Sequence, residues 1–256
     1  MNIKPIIYDL FCDASVGPNL KGSCAGCLVI RRPCTLEAVK QFPDHMFHYC
    51  IIPDGTNNAG ESTAVAMATS IAIDLYNFMS SFNCFIVFNI FSDSLITINA
   101  VRDWLPSWIA HMDKEGNLKN ASGLIAANQD KFKFIYNSII SNIQSKFHIN
   151  YIHQKGHAVG NNDKVLKVFA NSNPGIDFRS LGLTTYQISK CNDFVDNETR
   201  SIINQYLNTP KDYLPIEWSD RVLALKNAIY RADSIMDTSP IAINNYKKAM
   251  SFYLPL

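Results

Sequence analysis

Four acidic residues stand where an acid is otherwise poorly explained: Asp13, Glu61, Asp93 and Asp196. Asp13 closes a run of β-formers, Glu61 opens a long amphipathic stretch, Asp93 ends an apolar run, and Asp196 lies on a late helical segment. Taken singly, each reads as a turn-former or a helix-dipole partner. Taken together they suggest more, because the strands ending at Asp13 and Asp93 can lie side by side, with Glu61 arriving from a crossing helix. Carboxylates crowded in this way repel and raise one another's pKa unless a divalent cation keeps them ionised. Hard oxygen ligands select Mg²⁺ or Mn²⁺. A histidine, His157, sits in a glycine-flanked segment, a residue type suited to proton transfer. Cys24-Ala25-Gly26-Cys27 invites a zinc or redox reading. We set it aside, since strand residues three apart point to opposite faces and no second ligand pair has finger spacing.

The elements that must position these groups follow from hydrophobic patterning. Ile6 to Cys12, Ser23 to Arg31 and Met46 to Ile52 read as three successive strands separated by turn residues, an antiparallel meander. Glu61 to Phe82 carries apolar residues at three- and four-residue steps without Gly or Pro and predicts a helix. Phe85 to Phe91 is too uniformly apolar for an exposed edge and reads as an internal strand. Helices are expected over Leu95 to Ile109 and Lys131 to Ser145, and a fifth strand over Phe147 to His153. The order is β-β-β-α-β-α-α-β. Residues 161–190, with scattered Asn, Ser, Gly and Pro, read as an insertion. Asp193 to Leu207 is helical, Thr209 to Pro215 is a linker, and two more helices start at Ser219 and at Ser239-Pro240, the latter a cap followed by proline at the first helical position.

Composition narrows the classes. With 256 residues, 47% apolar and 18% charged, the chain can bury a sizeable core. Its formal charge of +1 supplies no global cationic field, so any nucleic-acid partner must be argued from local residues. No apolar run approaches the roughly 18 residues of a membrane span, and the first residues carry no signal-peptide pattern. An intracellular, cytoplasmic setting without membrane association is expected. The seven cysteines are odd in number and sit mostly among apolar neighbours, as core thiols do.

Five short segments, in order, resemble the type 1 ribonuclease H family: Asp13-Ala14-Ser15, Thr56-Asn57-Asn58-Ala59-Gly60-Glu61, Ser92-Asp93-Ser94, Lys155-Gly156-His157-Ala158-Val159-Gly160 and Asn192-Asp193-Phe194-Val195-Asp196. Weaker similarity runs through Trp104, Trp108 and Asn128. The resemblance spans residues 6–200 and implies an α/β fold, a ribonuclease H-like five-stranded mixed sheet flanked by helices. An insertion at 161–190 precedes the last core helix; a catalytic domain over 1–208 is followed by a C-terminal helical extension over 209–256.

It also implies an activity, hydrolysis of the RNA strand of an RNA-DNA hybrid to a 5′-phosphate and a 3′-hydroxyl. Asp13, Glu61, Asp93 and Asp196 would hold two Mg²⁺ ions, with Mn²⁺ as a substitute and Asp13 bridging both. His157 would serve proton transfer or product release. Ser15, Asn57 and Asn58 would meet 2′-hydroxyls in the shallow minor groove of the hybrid, and Thr56 a DNA-strand phosphate. Trp104 and Trp108 would line the DNA-strand groove, or belong to the core. Two departures matter. Asp196 lies well beyond the usual distance from His157, leaving Asp163 and Asp177 as rival fourth ligands, although only Asp196 keeps the motif's context. Residues 102–133 carry nearly balanced charge instead of a basic protrusion. A nuclease for structured or double-stranded RNA, or a non-catalytic binding module, are the alternatives; the complete set of acids argues against the second. The protein partner of the C-terminal helices is not legible.

Overall fold

The computed structural model describes residues 5–18, 22–34, 40, 43–82, 84–142, 146–158, 160–210 and 236–251. Strands β1 (Ile6–Val16), β2 (Gly22–Arg31) and β3 (His45–Pro53) form the expected antiparallel meander, and β4 (Ile86–Ser92) and β5 (Phe147–His153) extend it in parallel. The sheet order is β3-β2-β1-β4-β5, so the apolar β4 is internal, as its composition predicts. This is the five-stranded mixed sheet flanked by helices that the sequence led us to expect.

Both faces of the central strands are covered. Tyr8, Leu10 and Cys12 of β1 point into the larger core beneath α1 (Asn57–Met79), while Phe11 points into a second core with Val195 of the long helix near the C-terminal end. Ala64, Ala68 and Ala72 give α1 a smooth face that lies close on the sheet. The predicted helix over Leu95 to Ile109 is present as α2 (Leu95–Asn99) and α3 (Leu105–Ala110), joined by a π-helical turn over Ala100–Trp104. Pro106, which has no N–H to donate, falls in the first turn of α3. Helix α4 (Gln129–Ser141) completes this layer. Cys24 and Cys27 face opposite sides of the sheet, Cys24 toward Ile51 and Ile203 and Cys27 into the larger core.

Residues 161–190 are more ordered than their composition suggests. They form α5 (Asn162–Ser172) and a 3₁₀ turn (Phe178–Leu181). The buried Asn173 amide accepts from the His153 N–H at 2.8 Å and donates to its carbonyl at 2.7 Å, imitating a further strand at the end of β5. Arg32 pairs with Asp9 and donates to the Leu181 carbonyl, fastening the 3₁₀ turn to the sheet. Helix α6 (Thr185–Asn208) opens with a capping box between Thr184 and Gln187, eight residues ahead of the expected start.

The linker after Pro210 and the helix from Ser219 lie outside the described residues. Helix α7 (Pro240–Ser251) is capped by the Ser239 hydroxyl and packs on the larger core. Its Tyr246 is fully buried, donates to the Val101 carbonyl at 2.7 Å and lies 5.0 Å from the Tyr136 ring. Among the described residues, no helix is long and apolar enough to cross a membrane.

Candidate active site

Three elements deliver three acids to one place. Asp13 is carried by β1 opposite Gly26 of β2. A β-carbon on Gly26 would stand 2.5 Å from Thr199 Cγ2, so the bare backbone there lets α6 settle directly over Asp13. Glu61 is in the second turn of α1, which starts at Asn57 because Thr56 caps it by accepting the Ala59 N–H at 3.2 Å. Gly60 brings that turn against β1: a β-carbon on it would meet Ala14 Cβ at 2.7 Å. Asp93 follows β4, where the Ser92 hydroxyl accepts from the Ser94 N–H at 3.2 Å and Ser94 caps α2.

Asp13, Glu61 and Asp93 each offer a carboxylate oxygen within 4.8 Å of the other two. Burial, with the neighbouring Asp93 charge next, pushes the Asp13 carboxyl up from 3.8 to about 8, against the opposing pull of the Ala14 N–H. Glu61 is driven upward by burial and then by the charges of Asp13 and Asp93. Burial also raises Asp93, while His157, the Asn192 amide and Lys155 pull it back. Glu61 is 6% exposed and its Oε2 has no hydrogen-bond partner. Two buried acids and a partly buried third, with an orphaned oxygen among them and each costly to ionise alone, form the donor set that a hard divalent cation satisfies.

The trio lies in a polar cleft of about 290 Å³ that Asn57, His157, Asp196 and Arg200 also line. Asp196 stands outside the mutual 4.8 Å group. Its carboxylate accepts from Arg200 at 2.8 Å on each oxygen and from the Ser15 hydroxyl at 3.1 Å. Asp163 and Asp177, the rival fourth acids, are in the first turn of α5 and at the N-cap of the 3₁₀ turn. His157 takes a left-handed backbone conformation, φ 47°, with an exposed side chain whose Nδ1 is 3.9 Å from Asp193 Oδ1.

The expected substrate contacts divide. Asn57 is exposed and lines the cleft. Ser15 lines it too but is buried, its hydroxyl held between Asp196 and Thr199. Thr56 and Asn58 are exposed on the first turn of α1, Thr56 as its cap. Trp104 is 39% exposed, whereas Trp108 packs edge-on against Phe132 at 5.6 Å. Thr56, Asn58, Trp104 and Trp108 are not among the described residues that line the cleft.

Sequence reasoning gave Asn192 no role beyond marking its motif and overlooked Gln154. Both are buried. The Asn192 amide donates to Asp13 Oδ2 at 3.5 Å and also serves Asp93, while Gln154 Nε2 donates to Asn192 Oδ1 and so fixes which end of the amide faces the acids. The available signal was spacing, since Asn192 precedes Asp196 by one helical turn and shares its face.

No family model and no curated protein matches the sequence. Similar solved structures include LC9-RNase H1, a type 1 RNase H with the type 2 active-site motif, at 16% identity over 68% of this chain and 75% of that one, with a TM-score of 0.38. LC11-RNase H1 in complex with RNA/DNA hybrid is 14% identical over 58% and 85%, with a TM-score of 0.36. The foamy viral protease-reverse transcriptase in complex with dsDNA is 17% identical over 67% and 95%, with a TM-score of 0.39. These superpositions are loose, and no residue role is taken from them.

Proposed function

We propose that this chain is a divalent-metal-dependent endoribonuclease that hydrolyses the RNA strand of RNA-DNA hybrids, leaving a 5′-phosphate and a 3′-hydroxyl. The observation that supports it most is the convergence of Asp13, Glu61 and Asp93 around the unpartnered Glu61 Oε2. Asp13, Glu61, Asp93 and Asp196 are the residues that would hold Mg²⁺, or Mn²⁺ in its place. Bound there, such ions supply a water acidified to near-neutral pH and neutralise charge on the departing oxygen.

The chain's own groups do the rest. The Asn192 amide, fixed by Gln154, orients the Asp13 and Asp93 carboxylates. His157, exposed at the rim, would serve proton transfer or product release. The Asn57 side chain reaches a 2′-hydroxyl in the minor groove of a hybrid, with Ser15, Thr56 and Asn58 around it and Trp104 and Trp108 toward the DNA strand. Recognition of this kind reads shape and backbone chemistry without base sequence. A cytoplasmic setting suits a chain with thiols buried at Cys12, Cys24, Cys27, Cys50 and Cys84.

The test is cleavage of labelled RNA-DNA hybrid, double-stranded RNA and single-stranded RNA, with Mg²⁺ or with EDTA. Cutting of the hybrid alone, abolished by EDTA, is expected. Cutting of duplex RNA would replace this substrate assignment, and no metal-dependent cutting of any substrate would leave a binding module.

A further inference from the structure

We propose that Arg200 is a positioning residue that holds Asp196 back from the cation site, so that the centre loads its ions in two unequal steps. This rests on the metal-dependent reading of the cleft.

The four acids are not equivalent. Asp13, Glu61 and Asp93 already share a space small enough for one ion, and the buried Glu61 Oε2 is left without a partner in it. Asp196 lines the same cleft but stands apart from that group. Its charge is already answered, because one terminal guanidinium nitrogen of Arg200 reaches Oδ1 and Oδ2 at 2.8 Å each. The Ser15 hydroxyl adds a further donor to Oδ1. A carboxylate whose charge is already met on both oxygens by a guanidinium is a poorer ligand for a cation until the charge-assisted bonds break.

Release is geometrically cheap on one side only. Arg200 and Asp196 are one turn apart on α6, and their side chains are 55% and 10% exposed. The guanidinium can swing into solvent without moving the helix, whereas Asp196 cannot leave. Arg200 therefore acts as an internal cation at the fourth acid. The first ion settles on the three converged carboxylates, and a second is admitted once Arg200 lets go.

Calorimetric titration of the full chain with Mn²⁺ at neutral pH, without nucleic acid, reads both steps. The wild type is expected to show a tighter and a weaker event, and Asp196→Asn to lose only the weaker one. Arg200→Ala should tighten the weaker event roughly two- to fivefold, as befits a pair whose guanidinium is half-exposed, and change the first by less. Arg200→Lys keeps the charge on a shorter, more strongly hydrated head group and should also tighten the weaker event, by less. Variants indistinguishable from wild type overturn the proposal. So does equal tightening of both events by Arg200→Ala with none by Arg200→Lys, which would report net charge alone. Absence of any Mn²⁺ binding by the wild type overturns the metal reading with it, whereas intact binding with an unaltered second step removes only the role of Arg200.

Discussion

Gly156 lies so close to Asp93 that a β-carbon added to it would stand 2.1 Å from Asp93 Oδ2 and 3.1 Å from the carboxyl carbon. Gly156 is not among the glycines with positive φ, so alanine fits its backbone but not the space above it. Gly156→Ala is expected to displace the Asp93 carboxylate and lower hybrid cleavage by about 10²-fold, with little change in thermal stability in EDTA. Cleavage rates and a melting curve on the same preparation check this.

Asp13→Asn should reduce cleavage by more than about 10²-fold while leaving the circular dichroism spectrum unchanged. Retained activity would remove Asp13 from the centre.

The raised Asp13 pKa makes stability depend on pH with a definite sign. The unfolded chain releases this proton near 3.8 and the folded chain near 8, so between these values the native state holds more protons. Stability in EDTA should therefore fall as pH rises through that window. Glu61 and Asp93, raised in the same direction, add to the slope. Melting temperatures in EDTA should decline with pH, and Asp13→Asn should flatten the decline. Cation binding must expel these protons, so Mg²⁺ affinity should rise across the same window.

Asn192→Leu removes the donor that holds Asp93 down and leaves Gln154 facing an apolar group. Metal affinity should fall about 10- to 100-fold, and its pH profile should move to higher pH. Chemical denaturation should show a loss of about 1–3 kcal/mol.

Tyr246 is buried in the core formed by the sheet, α1 and α4. Tyr246→Ala should cost about 3–5 kcal/mol, and Tyr246→Phe about 1 kcal/mol for the bond to the Val101 carbonyl. Urea denaturation measures both.

Much of this was written in local pattern. The alternation and turn residues of Ile6 to Ile52 announced the meander, and the uniform apolarity of Phe85 to Phe91 announced an internal strand. What escaped was set by tertiary contact. β1 continues to Val16 because the small Ala14 fits beneath Gly60, a fact with no local signature. Residues 161–190 looked irregular because Asn173 reads as a breaker, yet its amide completes the hydrogen bonding of His153. Among the site residues, the three converging acids were legible as strand-end and helix-start acids. The Asn192–Gln154 pair was not, because a buried amide resembles a surface one in sequence. The grip of Arg200 on Asp196 required the cleft to be seen.

Asp9, Asn89 and Asn150 are register partners on β1, β4 and β5, and their side chains bond in a row, Asn89 Nδ2 to Asp9 Oδ1 and Asn150 Nδ2 to Asn89 Oδ1, each at 2.9 Å. Strands as greasy as these could slide past one another, since one aliphatic neighbour is nearly as good as the next. A slip would strand a charge and two amides in oil, so this row acts as a ruler. Asp13 lies four positions along from Asp9, and Asp93 four positions along from Asn89. The rung that aligns the middle of the sheet thereby sets the two acids abreast at its tip.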